Sequence, residues 1–302
     1  MRMKSITLSP TLRVSRLALG FWRLNQWKMS PAELLVFMEK ALELGFTTFD
    51  HADIYGDYTC EALFGKALKQ KPALRQKMEL VSKCGIKLPS AKFPGRRINH
   101  YDTSYRHILQ SVHQSLKNLH TDHLDLLLIH RPDPLMNPAE TARAFEDLFR
   151  SGKVLNFGVS NFLPADTEML QKHLPFPLVT NQVEVSPLQL EHFENGNMAW
   201  FGKTGMHPMA WSPLGGGRLF HPEDEKSARV QQALAETASR KNTENLTAIA
   251  LAWLLKHPTG VVPVLGTGKT GRLQEALEAF EISLSTEEWF EIYVAAQGHR
   301  MP

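Results

Sequence analysis

Only two cysteines, Cys60 and Cys84, occur in 302 residues. That excludes a disulfide framework and a cysteine-built zinc site, which need more ligands at closer spacing. Both are read as reduced, inert thiols. Long hydrophobic runs are also missing: no segment approaches the ~20 apolar residues of a membrane helix. Met1 to Arg16 carries charges but no apolar stretch of signal-peptide length, so a cytoplasmic location is expected. Without an export signal, the sequon Asn245-Leu246-Thr247 is read as chance. Charge of one sign is scarce as well. The 34 basic and 31 acidic side chains leave a net charge of +3, too small a surplus to argue for nucleic acid or an anionic membrane. No Ser/Gly-rich linker or charge block interrupts the chain, so residues 1–302 are read as one domain.

What the chain does have is a repeating alternation of short apolar strand, loop and amphipathic helix. Strand candidates lie near 17–20, 46–50, 78–83, 124–129, 154–159, 178–183, 207–211 and 261–265. Helices fit between them near 30–44, 59–69, 103–119, 138–151, 164–173, 191–202, 228–256 (as two) and 270–280, with a last one near 285–296. Ser30-Pro31 and Asn137-Pro138 give N-caps followed by proline, and Ser285-Thr286-Glu287-Glu288 spells a capping box. Leu126-Leu127-Leu128-Ile129 is apolar on both faces, as a parallel sheet covered by helices requires. The expected fold is α/β: a (β/α)₈ TIM barrel with a short N-terminal β-hairpin, Met3–Leu8 against Leu12–Val14, and an extra C-terminal helix. A doubly wound open sheet is the alternative. Two segments, 84–101 and 212–226, exceed ordinary connections, and long loops in compact domains are usually functional.

Asp50, Tyr55, Lys83 and His130 fall at or shortly after the ends of three strands, where a barrel gathers its catalytic groups. An ammonium beside a phenol stabilises the phenolate and lowers its pKa. Lys83 is placed to do this for Tyr55, with Asp50 holding the amine charged and His130 orienting a carbonyl. A tuned phenol can protonate an oxygen that is becoming an alkoxide. The set contains no group to attack the carbon, and a hydride from a reduced cofactor suits that role. Taken singly, each residue has a plainer role, as cap, surface charge or packing. His51 and Asp53 mimic a metal pair, but no third ligand stands at good spacing, and no metal is expected.

Gly266-Thr267-Gly268-Lys269-Thr270-Gly271 spells G-x-G-x-x-G between a strand and a helix. It is not read as a Rossmann unit, which needs another strand and an acidic residue further on. In a barrel, the loops after the last two strands often bind phosphate. Lys269 and Arg272 add positive charge to one such loop. The other is Ser212-Pro213-Leu214-Gly215-Gly216-Gly217-Arg218. Together they favour a long phosphorylated ligand. Ser160-Asn161 and Asn181-Gln182, at two further strand ends, offer amides and a hydroxyl to a carboxamide such as nicotinamide. Trp211 offers a flat ring for stacking.

These motifs, in this order, resemble the aldo-keto reductase family over nearly the whole chain. The resemblance rests on Asp50-His51-Ala52-Asp53-Ile54-Tyr55-Gly56 with Glu61, on Ser82-Lys83 and on Leu128-Ile129-His130-Arg131-Pro132-Asp133. It continues through Gly158-Val159-Ser160-Asn161-Phe162, Asn181-Gln182-Val183-Glu184 and Trp211-Ser212-Pro213-Leu214-Gly215. It implies an NADP(H)-dependent carbonyl reductase with Tyr55 as proton donor, tuned by Lys83 and Asp50, and His130 orienting the carbonyl. Ser160, Asn161 and Gln182 would hold the carboxamide, with Trp211 on the nicotinamide. Ser212, Leu214, Gly215, Gly217 and Arg218 would cover the pyrophosphate. Thr267 and Arg272, in the loop with Gly266, Gly268 and Lys269, would meet the 2′-phosphate, and Glu275 the adenine end. Trp22, the loop Gly85–Tyr101 and the tail Gly298–Pro302 would wall the pocket for a small-molecule carbonyl. A monomer is the family's usual form. Many members carry Thr in place of His51, Lys in place of Gly266 and Asn in place of Ala276, and Lys269 is the candidate substitute for that lysine. Two rival readings remain: a Schiff-base lyase using Lys83 as nucleophile, and a cofactor-binding regulatory subunit with little turnover.

Overall fold

The structure, a computed structural model, describes residues 3–302. A hairpin comes first, β1 (Ser5–Ser9) antiparallel to β2 (Leu12–Ser15). The barrel strands follow as β3 (Ala18–Gly20), β4 (Thr48–Asp50) and β5 (Glu79–Cys84). After a second small hairpin, β6 (Ile86–Lys87) with β7 (His100–Tyr101), come β8 (Leu126–Ile129), β9 (Phe157–Ser160) and β10 (Leu178–Glu184). The last two strands are β11 (Met209–Trp211) and β12 (Val262–Leu265). The order β3-β4-β5-β8-β9-β10-β11-β12 closes on itself, with every neighbouring pair parallel. This is the eight-stranded barrel that the alternation predicts, not an open sheet. Among the described residues no helix is long and apolar enough to cross a membrane.

Strand period explains which side chains reach the site. Val81, Leu126, Leu128, Ala18, Met209 and Val262 form the inner cluster, while Leu80, Cys84, Leu127 and Ile129 join the outer one beneath the helices. Side chains two apart share a face, so Lys83 points inward with Val81, and His130 continues the inward row of Leu126 and Leu128. The hairpin supplies Leu12 and Val14 to the inner cluster. Ser15 exchanges hydrogen bonds with Thr48 at the start of β4. The hairpin therefore plugs the end of the barrel opposite the site.

The helices match the caps read from sequence. Ser30 and Glu33 close a capping box on Pro31–Glu43, and Ser285 and Glu288 close one on Thr286–Gln297. Other elements differ from expectation. The helix expected at 191–202 is two pieces, Glu191–Glu194 and Asn197–Thr204, broken at Gly196 with φ of 85°. The helix at 270–280 ends at Leu277 and continues as a 3₁₀ turn over Glu278–Phe280. Further 3₁₀ turns at Leu24–Gln26 and Pro72–Lys77 are too short to leave a periodic signal.

Candidate active site

At the C-terminal ends of the strands, a cavity of about 740 Å³ opens. Its floor is a network centred on Lys83, which is 1% exposed. The ammonium donates to Asp50 Oδ1 and Oδ2 at 2.8 and 2.7 Å, to the His51 carbonyl at 2.8 Å and to Tyr55 Oη at 2.9 Å. Gln182 Nε2 donates to Asp50 Oδ1 at 2.9 Å. Asp50 is therefore fixed from two sides, and Lys83 spends its donors on three groups. The His130 ring meets Tyr55 edge-on at 5.8 Å. The structure thus brings Asp50, Tyr55, Lys83 and His130 together.

Burial and charge act against each other here. Burial alone lowers the Lys83 amine, but Asp50 and Tyr55 more than offset it, so the ammonium is held above its ordinary value. Burial pushes the Tyr55 phenol up, and the nearby Lys83 charge only partly opposes it. The sequence reading expected the ammonium to win, with a net fall. Desolvation is the larger effect, and the phenol is held above its ordinary value. Burial, then the Lys83 and Arg131 charges, pull the His130 imidazole well below its ordinary value, so it is neutral near pH 7. A protonated phenol, a neutral imidazole and a permanent ammonium are the groups a proton donor to a carbonyl oxygen requires.

Strained backbone frames the cavity. Gly56, Asp57 and Tyr58, directly after Tyr55, take φ values of 58°, 54° and 62°. Only glycine adopts this region freely, and non-glycine residues held there are costly unless their surroundings fix them. Tyr58 is fixed by the 84–101 segment. Leu88 N and Arg96 Nη1 donate to Tyr58 Oη at 2.9 and 2.7 Å, and Lys92 Nζ donates to its carbonyl at 2.8 Å. The long loop is thereby clamped to the turn that carries Tyr55. Asn161 and Ser212, with φ of 61° and 48°, are strained on the opposite wall. Trp211 Nε1 donates to Asn161 Oδ1 at 2.9 Å, and Asn161 Nδ2 donates to Ser160 Oγ at 2.8 Å.

Most of the expected ligand contacts do line the cavity: Trp22, Ser160, Asn161, Gln182, Trp211, Ser212, Leu214, Gly217, Gly266, Thr267, Arg272 and Glu275. Four do not. Gly215 faces Leu188, Gly268 lies under the Trp27 ring, and Lys269 is exposed at the helix start. Arg218 turns back to the Gly215 carbonyl and towards Asp224. Sequence reasoning gave no role to Arg23, Arg131 and Thr247, which also line it, while Ile86 comes from the expected wall 85–101 and Phe220 and His221 from the long segment 212–226. Arg131 stands beside His130 in the motif, whereas Thr247 comes from the distant helix Leu246–Lys256 with no local signal. His51 and Asp53 do not pair: His51 stacks on Phe21 at 4.7 Å, and Asp53 accepts from Ser111.

A dinucleotide fits these surroundings. At Gly216, Gly217 and Gly266 an added Cβ would meet nothing within 4 Å, so backbone stands bare at the cavity side. The helix Thr270–Leu277 starts at Lys269 without a side-chain cap, leaving the N–H groups of Thr270 and Gly271 for an anion.

A closed parallel barrel with a buried proton-transfer set at its mouth defines a barrel enzyme. The chain belongs to the Aldo/keto reductase family, which it matches over residues 16–295, and is thus an oxidoreductase of the carbonyl-reducing kind. It is 48% identical to the uncharacterized oxidoreductase YcsN of Bacillus subtilis, covering 99% of this chain and 100% of that one. To a 6-dehydroglucose reductase of Agrobacterium fabrum it is 45% identical over 98% and 99% of the two chains. The crystal structure of the thermostable aldo-keto reductase Tm1743 superposes with a TM-score of 0.81 at 28% identity, covering 98% and 100%.

Proposed function

We propose that the protein reduces an aldehyde or ketone to an alcohol with NADPH, Tyr55 giving the proton. One observation carries this reading: Lys83 Nζ donates to Tyr55 Oη at 2.9 Å. The phenolic oxygen is therefore the acceptor, and its own O–H is free to point at a substrate oxygen in the cavity. NADPH, when bound, supplies the hydride. The carbonyl oxygen takes the phenolic proton, and solvent restores the proton to Tyr55. Lys83 stabilises the phenolate left behind. Neutral His130 donates a hydrogen bond to the same carbonyl without losing its proton.

Trp211, with Ser160 and Asn161, suits the nicotinamide end. Gly216 and Gly217 suit the diphosphate. Thr267 and Arg272 suit the 2′-phosphate, which favours NADPH over NADH. Gln182, tied to Asp50, serves the tetrad as well as any carboxamide. A lysine nucleophile is disfavoured, because Lys83 is held as an ammonium by Asp50. Relatives named as 6-dehydroglucose reductases support an aldehyde on a hydroxylated carbon chain as substrate. We place the enzyme in the cytoplasm as a monomer, a reading that two unpaired cysteines suit.

The test is Tyr55→Phe assayed with NADPH and an aldehyde panel. Loss of a positioned general acid lowers kcat by about 10²–10⁴-fold, while quenching of tryptophan fluorescence by NADPH persists. A Phe variant at near wild-type rate would overturn the assignment. Tighter binding of NADH than NADPH in calorimetry would overturn the cofactor choice.

A further inference from the structure

Three guanidiniums line the cavity, those of Arg23, Arg131 and Arg272. Arg272 stands in the helix proposed for the adenosine phosphate. Arg131 stands at the reacting end: it follows His130 in the chain, and its guanidinium lies 5.6 Å from the centre of the Trp211 ring. A cation held over a ring face spends none of its N–H groups on hydrogen bonds to it. Arg75 and Arg218 each have an aspartate within 4.0 Å, Asp125 and Asp224. Arg131 forms no hydrogen bond and no ion pair among the described residues. Glu184 feels the Arg218 and Arg131 charges but pairs with neither.

A half-buried cation without a partner loses hydration and gains nothing in return, unless a ligand brings the counter-charge. The carboxylate at this end of the cavity, Asp50, is already paired with Lys83. The flat fork of a guanidinium matches a carboxylate or phosphate through two parallel hydrogen bonds.

We propose that Arg131 binds an anionic group, carboxylate or phosphate, carried by the carbonyl substrate beyond its reacting carbon. The proposal rests on the reductase reading and narrows it from carbonyls in general to acidic ones. Arg131 is then a specificity residue, acting on substrate choice and not on the proton.

Paired substrates test it: succinic semialdehyde against butanal, and glyceraldehyde 3-phosphate against glyceraldehyde. The wild type should favour the anionic member of at least one pair in kcat/KM, with the gain in KM, and added salt should erode it. The pair that responds names the anion. Arg131→Met should lower that anionic-to-neutral ratio about 10–100-fold, the worth of a charged hydrogen bond. Arg131→Lys should recover part of it. An unchanged ratio in Arg131→Met, with NADPH quenching intact, overturns the proposal and leaves the reductase reading standing. If no carbonyl is reduced, that reading fails instead. Calorimetry with succinate and inorganic phosphate on the NADP-loaded protein then decides for Arg131. Binding lost in the Met variant supports the site, and equal binding or none to the wild type overturns it.

Discussion

Asp50 and Asp53 lie on one turn of chain at the end of β4, and their carboxylates are treated in opposite ways. Asp50 takes two hydrogen bonds from the Lys83 ammonium and one from Gln182. Asp53 reaches out between barrel and helices, where Ser111 Oγ donates to its Oδ2 at 2.7 Å and its Oδ1 is sealed off without a partner. Glu61 nearby has Ser82, Ser115 and Asn118 as donors and no cation bonded to it. Burial pushes Asp53 up to about 7 and Glu61 above its ordinary value. Burial also pushes up the Cys60 and Cys84 thiols, which keeps them protonated and unreactive. Desolvation is common to both places, and the ammonium is not. A buried carboxylate in this barrel with no cation bonded to it, as at Asp53 and Glu61, is pushed towards its neutral form. The inner carboxylate is bonded to an ammonium, and the outer pair is driven towards neutrality.

Removing the cation should break the contrast most severely. Lys83→Met leaves Asp50 buried with Gln182 alone, and truncating one partner of a buried pair costs about 3–5 kcal/mol. The melting temperature should drop and turnover should vanish. Adding Asp50→Asn should return part of the stability but none of the activity. A Lys83→Met variant that melts with the wild type would mean that Asp50 is compensated elsewhere.

The outer cluster should answer to pH instead. Asp53 titrates ordinarily at 3.8 and is pushed up to about 7 by burial when folded. The unfolded chain therefore releases this proton first. Stability from this group declines as pH rises from about 4 to about 7 and stays at the lower level above that. Asp53→Asn removes the decline. The variant should gain on the wild type by at most roughly 4 kcal/mol between those limits, at about 1.4 kcal/mol per pK unit. His51, pulled down to about 3 by burial and then Lys83, acts oppositely on the acid side, losing stability as pH falls below its ordinary 6.5. It is present in both proteins and cancels in the difference. A difference that ignores pH would show that Asp53 does not titrate in this window.

The two clusters were unequally legible in the sequence. Asp50, Lys83 and His130 announce themselves because each ends a short apolar run, and strand period then fixes the face. Gln182 was read for its amide chemistry, but its bond to Asp50 joins β10 to β4 across the barrel and no local pattern encodes it. Asp53 was weighed only as a metal ligand beside His51. That the two residues turn to different partners depends on Ser111 and Phe21, from other elements. The β6–β7 hairpin escaped because two-residue strands carry no alternation to count. The clamp on Tyr58 escaped because its donors lie about thirty or more residues along the chain.

The smallest expected effect sharpens the contrast furthest. Ser111→Ala removes the one side-chain donor to Asp53, which favours the ionised form. Without it the carboxyl should hold its proton to still higher pH. The Asp53-linked decline in stability should extend above 7, at a cost of about 1 kcal/mol where Asp53 is ionised. In the Asp53→Asn background, the pH-dependent part of that cost has no charge left to act on. A double-mutant cycle run at pH 5 and pH 8 separates the two: coupling that grows with pH assigns the serine to the carboxylate, and coupling equal at both pH values assigns it to packing.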